Sequence, residues 1–123
     1  MRCLLGLLII SFIVSSCSSV EDERDELYCD SHNKLYKWIY TSSIVDELDK
    51  RGMIRYRDYY DLTDSLFEEM KKANTRRELF LDLHPRLRLT RDDSVYEDNL
   101  YRRNGLDTND LKREIKQYIL DLI

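Results

Sequence analysis

Glycine and proline are nearly missing from this chain, at three and one in 123 residues. Turn-rich all-β proteins and glycine-rich phosphate loops both need backbone positions that these residues supply, so both classes are set aside. No excess of basic charge is present either: 20 Lys and Arg stand against 24 Asp and Glu, a net charge of −4. A nucleic-acid binder should show a clearly basic surface, and no nucleic-acid partner is expected. Cysteine numbers three, at positions 3, 17 and 29. Cys29 alone lies beyond the N-terminal leader and has nothing to pair with inside the body, which rules out a disulfide-stapled scaffold there. There is no Asn-x-Ser/Thr sequon.

The one long apolar run, Leu4–Val14, is shorter than the about 20 residues that a membrane span needs. It follows Arg2 and precedes small residues, which is the order of a secretory signal, with Val14 and Ser16 placed for cleavage. "VSSC" (Val14–Cys17) also fits a lipoprotein signal in which Cys17 is acylated. Residues 1–19 are therefore read as a signal-peptide-like or membrane-anchoring leader, the only part expected to engage a membrane. Without Arg2 the remaining chain holds 24 acidic residues against 19 basic ones, a net charge of −5. The leader predicts the secretory pathway or membrane association; the body, with its lone cysteine, reads as cytoplasmic if the leader is not used.

What is abundant is charge, at 36% of residues, beside a hydrophobic content of 42%. That mixture suits one small helical domain with a heavily solvated surface. Val20–Glu26 reads as an acidic spacer or a first helical turn. Leu27, Leu35, Trp38 and Ile39 mark a first helix ending near Tyr40. Thr41–Ser43 reads as a capping cluster opening a second helix with Ile44, Val45 and Leu48 inward and Gly52 as its stop. A short third helix is expected over Arg57–Asp64. A fourth, from near Lys71–Thr75 to Leu83, has Leu79, Phe80 and Leu83 inward and Pro85 as its stop. Arg86–Asp93 reads as loop. A fifth helix carries Val95, Tyr96 and Leu100 to Gly105, and a sixth carries Leu111, Ile115, Ile119 and Leu122 from a cap at Asn109. The fold class is all-α, a six-helix antiparallel bundle over residues 27–123.

No residue pattern marks a catalytic site, and the chain is read as non-enzymatic, without cofactor or metal. Cys29 and His32 have the spacing of a ligand pair, but a structural zinc needs four ligands and His84 has no Cys or His near it in sequence. Asp92–Asp93 is better placed to cap a helix than to hold a cation. No serine sits in a nucleophile elbow, and nothing beside Cys29 would activate its thiol.

The order of these signals resembles the caspase recruitment domain, a six-helix bundle of the death-domain superfamily. Leu48, Gly52, Met53 and Ile54 match that family's L-x-x-x-G-hydrophobic-hydrophobic turn after its second helix. Asp58–Tyr59 match the acidic–tyrosine pair of the short third helix, and "TRRELFLDLHPR" (Thr75–Arg86) matches the Arg-rich, leucine-rich fourth. Val95–Tyr96, Leu100 and Asn104–Gly105 are similar to its late aromatic, leucine and turn. Leu27, Leu35, Tyr36 and Ile39 stand where its first-helix apolar positions should. The likeness spans roughly residues 24–122, and its flavour is that of invertebrate initiator caspases and their adaptors.

The resemblance implies homotypic contacts with another domain of the same type, in a caspase or an adaptor, or self-association. It implies an acidic docking face at Asp46, Glu47, Asp49, Asp61 and Asp64, and a basic one at Lys34, Lys37, Arg76 and Arg77. The stretch Lys71–Arg91 holds seven basic residues against two acidic. A chain this short, with no effector attached, would regulate apoptosis or innate immune signalling as a stand-alone adaptor or decoy. A reading from another class is a secreted or lipid-anchored small helical protein, acylated at Cys17.

Overall fold

Residues 20–123 are described in the computed structural model; the leader and Cys17 lie outside the described residues. The described chain is all-helical. Helix α1 (Val20–Lys50) leads through a 3-10 turn (Tyr56–Tyr59) into α2 (Tyr60–Leu83). Two further 3-10 turns (Pro85–Leu87 and Arg91–Asp93) precede α3 (Ser94–Arg103) and α4 (Thr108–Asp121).

Four helices, not six, make up the described residues, because two of the expected breaks are filled with helix. Thr41–Ser43 does not cap anything: α1 runs through it for 31 residues, roughly 46 Å at 1.5 Å per residue. The stripe that α1 turns toward its neighbours explains why. Tyr28, Ser31, Leu35, Trp38, Thr41, Val45 and Leu48 follow one another at spacings of three or four, so the inward face never loses phase at Thr41. Thr41 itself is only 4% exposed. The expected acidic spacer is the first turns of the same helix, where carboxylates favour the positive helix end. Similarly, α2 is one 24-residue helix, which joins the expected third and fourth.

The expected stops do stand where helices end. Gly52 takes φ 73° and Gly105 φ 72°, the left-handed conformation that costs a residue with a Cβ. Both close the same six-residue cap. Met53 N–H donates to Leu48 O (3.0 Å) and Gly52 N–H to Asp49 O (2.9 Å); Leu106 N–H donates to Tyr101 O (2.9 Å) and Gly105 N–H to Arg102 O (3.1 Å). Helix α2 ends just before Pro85. Asp93 belongs to a capping box with Thr90. The cap of α4 is Asp107, whose Oδ1 accepts from the Asn109 N–H (2.8 Å), not Asn109 as the sequence suggested.

Helices α1 and α2 form an antiparallel hairpin, seen in the order of their contacts: Ser31 with Arg77, Lys34 with Glu69, and Trp38 with Phe67. Two apolar clusters sit along it. One joins Tyr28 to Phe80, Leu81, Leu100 and Tyr101, so α3 closes the first half of α1. The other joins Val45 and Leu48 to Ile115 and Ile119, so α4 closes the second half. Several side chains expected in the core point outward instead. Leu79 is 60% exposed, Leu83 79%, Val95 70% and Leu122 56%, and Ile39 is exposed as well. In α2 the inward stripe is Thr63, Met70, Ala73, Phe80 and Leu81. One residue of phase separates Leu79 from its buried neighbour Phe80.

Candidate interaction surface

The inward stripe of α2 fixes what its opposite face presents. At 3.6 residues per turn, Asp61, Asp64 and Glu68 fall on the solvent side near the hairpin turn. Lys72 and Arg76 follow on the same side, then Leu79 and Leu83, at spacings of three or four. All seven are exposed. One helix face therefore carries an acidic, a basic and an apolar zone in succession. Asp82, at its margin, is drawn toward Arg88 (4.0 Å).

The side chains assigned to the two docking faces are distributed unevenly over this framework. On the acidic side Asp46, Glu47 and Asp49 sit on the last turns of α1 and Asp61 and Asp64 on the first turns of α2, so all five gather at the hairpin-turn end. Basic groups share that end. Lys50 Nζ pairs with Asp46 (2.9 Å) and Arg51 with Glu47 (2.8 Å), which dilutes the acidic field there. Asp49 is committed to the fold: its Oδ1 accepts from Tyr56 N–H (3.1 Å), fastening the turn. Asp61 and Asp64 are the freer part of the acidic set.

On the basic side, Lys34 lies 4.0 Å from Glu69 across the hairpin, and Lys37 lines a cleft of about 290 Å³ between α1, α2 and α4 with Thr41, Leu62, Leu66 and Leu111. Arg76 is exposed. Arg77 is not a surface group in the same sense. Its guanidinium lies over the Tyr28 ring (5.4 Å) and Nη1 donates to Ser31 Oγ (3.0 Å), while the Ser31 hydroxyl donates to Asn74 Oδ1. Nη2 donates to Glu78 (3.3 Å), and Nε is buried without a protein partner. Arg77 holds the two long helices in register, and its place on the outer face is taken by Lys72. Lys72, Glu68, Leu79 and Leu83 were missed because the expected third and fourth helices divide the stripe; its spacing is plain once one helix covers residues 60–83.

Elsewhere the polar groups serve the fold. Tyr96 OH donates to Asp25 Oδ2 (2.6 Å) and accepts from Arg24 Nη2 (3.1 Å), pinning α3 to the start of α1. His32 stacks on Tyr101 with ring centroids 3.8 Å apart, and the Tyr101 hydroxyl donates to Glu97. Burial pushes the Tyr101 phenol well above its ordinary range, with the Glu97 hydrogen bond adding to it. The Cys29 thiol is free and raised first by burial and then by Asp25, the opposite of an activated nucleophile. Among the described residues no three His, Cys, Asp or Glu side chains come together as metal ligands. No helix among them is long and apolar enough to cross a membrane.

Burial lowers the His32 pKa, against the smaller opposing pull of Glu97 and Asp98. The folded chain thus binds this proton less readily than the unfolded one, whose His titrates at about 6.5. Its contribution is present above that value and is lost as pH falls through the lowered folded pKa. Melting temperature followed between about pH 5 and pH 7 should therefore fall more steeply in the native chain than in His32→Phe, which keeps the stack on Tyr101. Equal slopes would remove His32 from the acid response.

No family model, no curated protein and no solved structure matches the chain.

Proposed function

We propose that this chain is a non-enzymatic interaction module that docks a helical face on another small helical domain of the caspase-recruitment type. In that role it regulates apoptosis or innate immune signalling as a stand-alone adaptor or decoy. The observation that carries the proposal is the outer face of α2, where acidic, basic and apolar zones lie in sequence, all exposed. Two leucines spaced four apart on a solvent-facing helix have no role in this chain's own core. Beside three acidic and two basic side chains they make a surface that another protein's helices would complement in charge and bury in area.

The resemblance supports the same class through the turn at Leu48, Gly52, Met53 and Ile54. On this reading α1 stands for the family's first two helices run together, the Tyr56–Tyr59 turn and α2 for its third and fourth, and α3 and α4 for its last two. The acidic partner face is then Asp46, Glu47, Asp61 and Asp64, and the basic one Lys34, Lys37, Lys72 and Arg76.

Binding to a purified caspase recruitment domain from an initiator caspase or adaptor tests it. Lys72→Glu with Arg76→Glu should weaken binding at least tenfold, about 1.4 kcal/mol, because single exposed pairs contribute only about 0–1 kcal/mol and several must act together. Asp61→Lys with Asp64→Lys should do so for a partner that uses the acidic side. Raising salt toward about 1 M, where screening shortens to about 3 Å, should weaken the native complex as well. Affinity unchanged by both reversals, with circular dichroism unchanged, would return these residues to plain solvated surface.

A further inference from the structure

We infer that a second copy of this chain docks on the outer face of α2, antiparallel, with the two-fold axis beside Glu68. This rests on the interaction-module reading and names its partner and geometry. The order of the zones along one continuous helix carries it. Asp61 and Asp64 lie toward the start of α2, Lys72 and Arg76 toward its end, and Glu68 midway between the two sets. Laid antiparallel about Glu68, Asp64 faces Lys72 of the second copy and Asp61 faces its Arg76. A two-fold axis makes each pair occur twice. A parallel, in-register pairing instead sets carboxylate on carboxylate, ammonium on ammonium and guanidinium on guanidinium, which like-charge repulsion disfavours.

Glu68 is the one residue that meets itself. Its carboxylate already holds Lys71 Nζ at 2.8 Å, and Lys72 of the second copy lies about one turn away, near 6 Å along the axis at 1.5 Å per residue. The axis is thus surrounded by cations. The same alignment carries each Leu79–Leu83 pair toward the hairpin-turn end of the other copy, where Met53 and Tyr60 are exposed. Each copy then offers apolar side chains at both ends of the contact and charge in its middle. Because α2 is uninterrupted through residues 60–83, the whole face is one rigid strip and the pairing follows from the helix alone.

The test uses the full chain in analytical ultracentrifugation at low and high salt. A monomer–dimer equilibrium is expected, at least tenfold weaker at high salt. Asp61→Lys with Asp64→Lys, and separately Lys72→Glu with Arg76→Glu, should each give a monomer. An equimolar mixture of those two variants should dimerise again, since two of the four charge pairs are then native and the other two are restored with signs exchanged. Register is read by a short bis-maleimide on full chains whose three native cysteines are replaced by serine. Glu68→Cys should cross-link to itself, and Asp61→Cys should cross-link to Arg76→Cys but not to itself. A monomer at every salt concentration, or Asp61→Cys linking to itself as readily as Glu68→Cys, overturns the self-pairing. Neither result touches the module reading, which stands or falls on the separately measured binding to a caspase recruitment domain.

Discussion

Leu48→Asp is expected to leave the chain unfolded, while Leu79→Asp leaves it folded with little change in melting temperature. Leu48 is 2% exposed and packs with Val45, Ile115 and Ile119. An unpaired carboxylate placed there costs several kcal/mol, out of the about 5–15 kcal/mol that holds a small domain together. The same substitution also empties volume in the cluster that fastens α4 to α1, so the cavity adds to the charge penalty. Leu79 points into solvent, where an exchange away from any packed feature usually stays within about 0.5 kcal/mol. Thermal melts followed by circular dichroism separate the two outcomes. Equal damage from both variants would mean that α2 is turned by one residue from the face described.

The second large effect concerns Ser43→Pro. Inside a continuous helix this change removes the amide hydrogen bond to the preceding turn and drives the pyrrolidine ring against a carbonyl, at a cost of about 3 kcal/mol or more. At the first position of a new helix the same residue would be well tolerated, because that amide has no partner and the proline φ already suits the helix. The substitution therefore distinguishes one long α1 from two helices meeting at Thr41–Ser43. Ser43 is exposed, so no buried side chain confuses the result. A chain that loses at least a third of a modest stability, and whose helical signal drops, supports the single helix. An unaltered melt would place a junction at the serines.

Helix ends were far more legible in the sequence than helix continuity, and the reason is chemical. Pro85 cannot continue a helix, Gly52 and Gly105 take a left-handed turn that residues with a Cβ resist, and each of the three stands at an observed end. Thr41, Ser42 and Ser43 merely permit a cap. Their hydroxyls favour one only when the backbone leaves amides unpaired, and here the inward stripe passes through Thr41 and keeps them paired. A permissive residue type was outweighed by tertiary burial. The exposed leucines were misplaced for a related reason. In "RRELFLDL" (Arg76–Leu83) apolar residues fall at 79, 80, 81 and 83, which admits two helix phases, and only packing of Phe80 and Leu81 on Tyr28 selects between them.

The charged faces were partly legible. Arg76 and Arg77 are adjacent in sequence and 100° apart on a helix, so they cannot share a face fully. Nothing local shows that Arg77 is the one turned onto Ser31 and Tyr28. Asp46 and Glu47 are likewise ordinary surface acids in sequence; their pairing with Lys50 and Arg51 follows from the four-residue spacing alone.

The two apolar clusters share α1 but divide α3 and α4 between them, and α2 adds its Phe80 and Leu81 to the first alone. Cooperativity in this molecule therefore has a grain. Releasing α3 uncovers Tyr28, Phe80 and Leu81 without stripping anything from Val45 or Ile119, and releasing α4 does the converse, so each short helix opens as its own unit on a hairpin that stays closed. Stability at one end is then no guarantee of stability at the other. The hairpin, whose two long helices also meet at Ser31–Arg77, Lys34–Glu69 and Trp38–Phe67, is the last element to yield, and the face that α2 turns outward outlives either partial opening.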